Sequence, residues 1–226
     1  MNFESVVVRI IMYFASFLAV LVSLPCHEFA HAFVAVKNGD MTPKYSGRYT
    51  LNPFAHFDML GLLMMILVRF GWAKPVPVNP NNFRNYKLGC VTVSIAGVTV
   101  NLILAIIFCP LMMLAYKYLS FSGTSRYLQL VLYYFLSSMF YLNLGLMVFN
   151  LLPLYPLDGF RLYDALAKRR GKFYFWLMRY SFYILIGILL LGVAADYTGI
   201  AWLDIIGFIR DYIAGWIMKF WGLFIV

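Results

Sequence analysis

Residues 6–36 read VVVRIIMYFASFLAVLVSLPCHEFAHAFVAV, an apolar run long enough to cross a bilayer that nevertheless carries two histidines and a glutamate near its end. A helix crossing the hydrocarbon layer takes about 20 residues, and inside that layer every backbone polar group has to bond within its own segment. Three more runs of comparable length follow, at 88–116, 127–149 and 173–195. Hydrophobic residues make up 63% of the chain and charged ones 12%, whereas a soluble domain is roughly a quarter charged. The pattern predicts an all-α polytopic membrane protein of about 4–6 transmembrane helices. The length of 226 residues suits one domain spanning 1–226.

The first span should stop at Lys37-Asn38-Gly39, a basic last turn followed by glycine, and Pro25 is expected to bend it just before His27. Its apolar stretch runs past residue 30 and holds the ionisable residues, so it does not read as a cleavable signal peptide. Residues 40–87 form a different region. The piece at 59–72, MLGLLMMILVRFGW, is short for a span and reads as re-entrant. The stretch 73–87 carries Pro75, Pro77 and Pro80 and is expected to be non-helical. Pro75 and Pro77 remove donors from one edge of an extended chain, while Val76 and Val78 keep theirs on the other. This predicts a small re-entrant extended or β segment, paired with residues 44–51, whose open edge holds an unwound substrate by strand addition. The C-terminal stretch 197–226 is apolar but bears Asp204, Asp211 and Lys219 on one helical stripe. That stripe is compatible with a bundle-facing helix and with an interfacial one.

The net charge of +9 does not point to nucleic acid. Twelve of the eighteen lysines and arginines lie in 37–87 or 161–172, between apolar runs, as expected of loops held on the cytoplasmic face against anionic lipid. With those segments inside, the N-terminus is outside. The third span then delivers NLLPLYPLDG, residues 150–159, to the same face as the end of the first. Cys26, Cys90 and Cys109 show no paired spacing and read as buried thiols.

His27-Glu28-Phe29-Ala30-His31 is the strongest chemical signal. Positions i and i+4 share a helix face, so both imidazoles can reach one ion, and Glu28 is turned beside it to move protons. Ionisable groups in lipid are costly and by default functional. A catalytic zinc needs three protein ligands and an open position. His56, Asp58 and Asp158 are the candidates for the third. Asp158 is preferred, because Pro153 and Pro156 break the helix before it and Gly159 permits a tight turn after it. His56 and Asp58 read as a solvated or structural pair.

HEFAH in a first hydrophobic span, with NLLPLYPLDG far downstream, resembles the site-2 protease family of intramembrane zinc metalloproteases. GRYTLNPFAHFD and FGWAKPVPVNPNNFRN resemble its short prokaryotic branch, without PDZ or CBS domains, and the resemblance covers about residues 15–165. It implies one Zn2+ per chain on His27, His31 and Asp158, with Glu28 as the catalytic acid–base. It also implies cleavage of transmembrane protein substrates in a cell membrane, with the active site toward the cytoplasm. One departure is Ala96-Gly97-Val98-Thr99-Val100-Asn101, where Val98 replaces a family proline while Asn101 is kept. Asn101 and Asn150 are candidates for binding substrate backbone, with helix–helix hydrogen bonding as the alternative role for asparagines inside spans. Two other functions compete with proteolysis: a metal-ion transporter, and an inactive homologue that binds transmembrane helices without cutting them.

Overall fold

The computed structural model describes residues 3–61, 73–118 and 125–225, the side chain of Phe3 excepted. Eight α-helices can be named among them: α1 Phe3–Lys37, α2 Thr42–Tyr45, α3 Pro53–His56, α4 Tyr86–Tyr118, α5 Arg126–Leu151, α6 Asp158–Leu166, α7 Lys172–Thr198 and α8 Ile205–Gly222. The helices α1, α4, α5 and α7 are long and apolar enough to cross a membrane. The chain is therefore an all-α polytopic membrane protein, as its apolar runs predict. Large apolar side chains remain outward-facing along these helices, among them Ile10, Phe14, Phe182 and Leu190, as a lipid solvent allows.

Helix boundaries follow the local signals. Helix α1 runs through Pro25 and stops at Lys37. Asn38 donates its backbone N–H to Val34 O, and Gly39 adopts φ 109°, a left-handed value that glycine takes without penalty. Asn52 caps α3 through the Phe54 N–H, and Asn79 caps a 3₁₀ turn at Pro80–Asn82. That turn, and the start of α4 at Tyr86, correct the expectation that 73–87 is wholly non-helical. No sheet forms among the described residues. A single antiparallel bridge joins Phe57 to Ala73, and α2 occupies part of the 44–51 stretch expected to pair there. Most of the re-entrant piece expected at 59–72 lies outside the described residues.

The chain divides into two compact units, and α1, α4, α5 and α7 each contribute residues to both. One comprises 1–23, 101–149 and 183–226. Its interior combines Ala15, Ala19 and Ala105, small residues that let helix backbones approach closely, with the large side chains of Met139, Phe140 and Leu144. Asn143 is fully buried there and donates to Ser23 Oγ at 2.8 Å and to Met139 O at 2.7 Å. In α8 Gly207 and Ala214 are buried, and the Trp221 indole donates to Ile106 O at 3.1 Å. The charged stripe lies elsewhere on the helix: Asp204 caps its first turn, Asp211 pairs with Arg210, and the Lys219 ammonium stands over the Trp216 ring.

The other unit comprises 24–100 and 150–182. Ala35, Phe83 and Val93 form a buried cluster, with Val34, Val78 and Cys90 packed against it. The Phe83 ring lies directly over Gly89, where an added Cβ would come within 2.4 Å of it. Of the three cysteines, only Cys109, in the first unit, is fully buried.

Candidate metal centre

One turn of α1 separates His27 from His31, and the rings meet edge to face with centroids 4.7 Å apart. Asp158 is the first residue of α6. Its arrival depends on the irregular backbone before it. Leu154 donates to Leu152 O, Leu157 to Leu154 O, and Tyr155 N–H to Ser181 Oγ at 3.0 Å on α7. Gly159 then fits against the end of α5 so closely that a Cβ would lie 2.3 Å from Leu151 O and 2.4 Å from Leu152 O.

These elements bring three donor atoms to one point. His27 Nε2 and His31 Nε2 are 3.1 Å apart, and Asp158 Oδ2 lies 3.2 Å from the first and 3.0 Å from the second. All three residues are buried, each at most 6% exposed. Ligands of tetrahedral zinc, each about 2.0–2.1 Å from the metal, stand about 3.3–3.4 Å apart, close to the observed triangle. Protonation also fits an ion. His31 Nδ1 lies 2.7 Å from Val93 O, and a carbonyl only accepts, so Nδ1 carries a hydrogen and, in the neutral ring, Nε2 is the atom that presents a lone pair. That tautomer is the one a metal ligand bound through Nε2 requires.

The Arg161 guanidinium, one turn along α6, stands 3.7 Å from the other oxygen of Asp158, Oδ1. Gly97 of α4 closes the third side. A Cβ there would lie 2.4 Å from Cε1 of His27 and 2.5 Å from Nε2 of His31.

Glu28 is not one of the three clustered residues. Its Oε2 accepts the Val76 N–H at 3.0 Å. The donor expected to stay open for a substrate strand is thus committed to Glu28, and the Val78 side chain packs on the Ala35–Phe83–Val93 cluster. Asn101 is fully buried, and neither amide atom has a hydrogen-bond partner; Asn150 is partly buried. His56 is not solvated. It is fully buried and donates from Nε2 to Thr50 O at 2.8 Å. Asp58 Oδ1 accepts the N–H groups of Leu60 and Gly61. Among the described residues neither joins the metal-type cluster. Sequence reading missed Gly97 as a wall of the site, the Val93 carbonyl, Arg161 and Ser181. Only Gly97 left a signal, a glycine inside a helix with no turn to explain it.

The sequence profile of Peptidase family M50 matches residues 112–192, a span that includes Asp158 and the segment before it. The chain is 46% identical over 152 residues to a Bacillus subtilis protein named "Putative zinc metalloprotease YwhC", covering 66% of this chain and 68% of that one. It is 35% identical over 144 residues to the Mycobacterium tuberculosis protein named "Putative zinc metalloprotease Rip2", covering 62% of this chain and only 52% of that relative. No solved structure matches. Nothing in these likenesses supports a metal-ion transporter. The extent of the match to the Bacillus relative places the chain in peptidase family M50, the site-2 protease family, as an intramembrane zinc metalloprotease.

Proposed function

We propose that His27, His31 and Asp158 hold the single zinc of this protease and that Glu28 is its acid–base, with the whole chain, 1–226, working as one protease domain. What supports the ligand assignment is the convergence of three buried donor atoms of the right chemistry within 4.8 Å of one another. Zinc, when bound, lowers the pKa of a water at its open position and polarises a carbonyl oxygen. The chain's own residues do the rest. The Val93 carbonyl keeps His31 in the tautomer that binds through Nε2, and Arg161 faces the outer oxygen of Asp158 while Oδ2 points at the histidines. Glu28 takes the proton of the attacking water and returns it to the leaving amine.

The substrates we infer are transmembrane segments of other proteins, cut within or beside the bilayer of a cell membrane from its cytoplasmic side. The concentration of lysine and arginine in 37–87 and 161–172 supports that orientation. Asn101 and Asn150 are assigned to the substrate backbone. For Asn101, a buried amide without partners supports the role, since such a group costs about 1–3 kcal/mol until it is bonded.

The test is cleavage of single-span model substrates by purified protein, with zinc measured in parallel. Wild type should cut and carry about one zinc. Glu28→Gln should keep the zinc and lose cleavage by about 100-fold or more. Asp158→Ala should lose both. A Glu28→Gln protein that still cuts, or an Asp158→Ala protein that retains its zinc, would overturn the assignment.

A further inference from the structure

Asp40 plays no part in the metal cluster, yet it is fully buried just beyond the end of α1. Both of its carboxylate oxygens are engaged. Oδ1 accepts from the Thr42 N–H, the Thr42 hydroxyl and the Asn82 amide at 2.8 Å, and Oδ2 accepts the Asn79 N–H at 2.8 Å. A buried carboxylate is costly unless its oxygens are bonded, and here neutral donors from two separate segments meet it. The result is a joint between the chain after α1 and the turn at Pro80–Asn82. The joint is tightened by Arg84 N–H, which donates to Asn38 O at 2.9 Å, and by Gly39, whose absent Cβ would stand 3.0 Å from Asn82 O.

The strap that leaves this joint, residues 74–79, is pinned at three places. Lys74 N–H donates to His56 O at 2.7 Å, Val76 N–H to Glu28 Oε2 at 3.0 Å and Asn79 N–H to Asp40 Oδ2. The two residues flanking Val76 are Pro75 and Pro77, which have fixed φ and no donor of their own. Between its end pins only Val76 and Val78 keep a backbone N–H, and the one at the middle contact, that of Val76, meets the glutamate. Three residues of extended chain span about 10 Å, so the position of Asn79 sets that of Val76.

We propose that Asp40 is a positioning residue for the proteolytic reaction: by anchoring the strap at Asn79 it sets the Val76 N–H that holds the carboxylate of Glu28. The proposal rests on the reading of Glu28 as proton carrier. It explains why an acid occupies position 40. An asparagine has a single acceptor oxygen, so it must release either the Asn79 N–H or the Thr42 and Asn82 donors.

The test uses the full chain and a single-span substrate that wild type cuts. Asp40→Asn and Val76→Pro, which removes the donor to Glu28 and leaves Asp40 untouched, should each lower kcat about 10- to 100-fold. KM and zinc content should stay within about twofold. The double variant should be no slower than the slower single one, because both changes break one link. Asn143→Ala, destabilising in the other unit, is the control for stability alone and should leave kcat unchanged. The proposal is overturned if Val76→Pro has the wild-type kcat, if the two effects multiply, or if either variant acts through KM or zinc loss. Val76→Pro with the wild-type kcat overturns the proposal whether or not the Asp40→Asn protein folds. Glu28→Gln, run alongside, separates the two failures: if it is active the reading of Glu28 falls, and if only it is inactive the positioning role falls.

Discussion

Gly97 on α4 and His31 on α1 are packed so closely that a single added carbon at Gly97 would stand 2.5 Å from the imidazole Nε2. That is well inside van der Waals contact, and the same carbon would press on His27. Gly97→Ala should displace the histidines and weaken zinc by about 10- to 100-fold, the range seen when support of a metal ligand is lost. Chelator competition on the purified variant measures it. An unchanged zinc affinity would mean that α4 shifts away instead and that the glycine does not shape the site.

Ser181 should act on the metal from a distance. Its hydroxyl accepts the Tyr155 N–H at 3.0 Å and donates to Leu177 O at 2.6 Å, tying the turn before Asp158 to α7. Ser181→Ala strands a backbone donor at a cost of about 1–3 kcal/mol. We expect a lower melting temperature and weaker zinc binding, with Ser181→Thr recovering part of both. A variant that melts early but binds zinc normally would separate the turn from the ligand it carries.

The Asn143–Ser23 pair should be structural only. Asn143→Ala is expected to cost about 0.5–2 kcal/mol, as interhelical hydrogen bonds in membranes do, and to leave cleavage intact. In a double-mutant cycle Ser23→Ala should add little to Asn143→Ala, since the two share one bond. Strict additivity of the melting data would show that each residue acts through other partners.

Stability should respond to acid through Asp40. Burial alone would raise its carboxyl, but the bonds from Thr42, Asn82 and Asn79 outweigh this and hold it below the ordinary range. A group whose folded pKa is depressed stabilises the fold in full above its unfolded value, about 3.9, and loses that contribution as pH falls through the folded value. Wild type should therefore melt higher than Asp40→Asn at pH 7, with the gap closing below about pH 4. A gap that stays constant into strong acid would show that the ionised carboxylate is not what the four donors recognise.

The four long helices were readable because the solvent leaves little choice. A run of about 20 apolar residues in lipid has to satisfy its backbone internally, and the predicted spans 88–116, 127–149 and 173–195 match α4, α5 and α7 to within a few residues. His27 and His31 were readable for a similar reason, since helical periodicity alone puts them on one face. What stayed hidden depends on contacts between segments far apart in sequence. His56 reads as a loop residue in a polar stretch, yet the fold buries it completely. The open edge predicted at Val76 follows correctly from proline geometry, but the nearest acceptor for that donor is Glu28, 48 residues earlier.

The sequence by itself determined an all-helical membrane chain, its apolar spans, the shared helix face of His27 and His31 and the chemistry of a zinc protease, because periodicity, hydrophobic length and residue type act locally. Only the tertiary structure decided that Asp158 lies within 3.2 Å of both histidines, that Gly97 walls them in and that Asp40 and Glu28 are joined by one strap. Those relationships depend on how close two backbones come, and no spacing within a single segment encodes that distance.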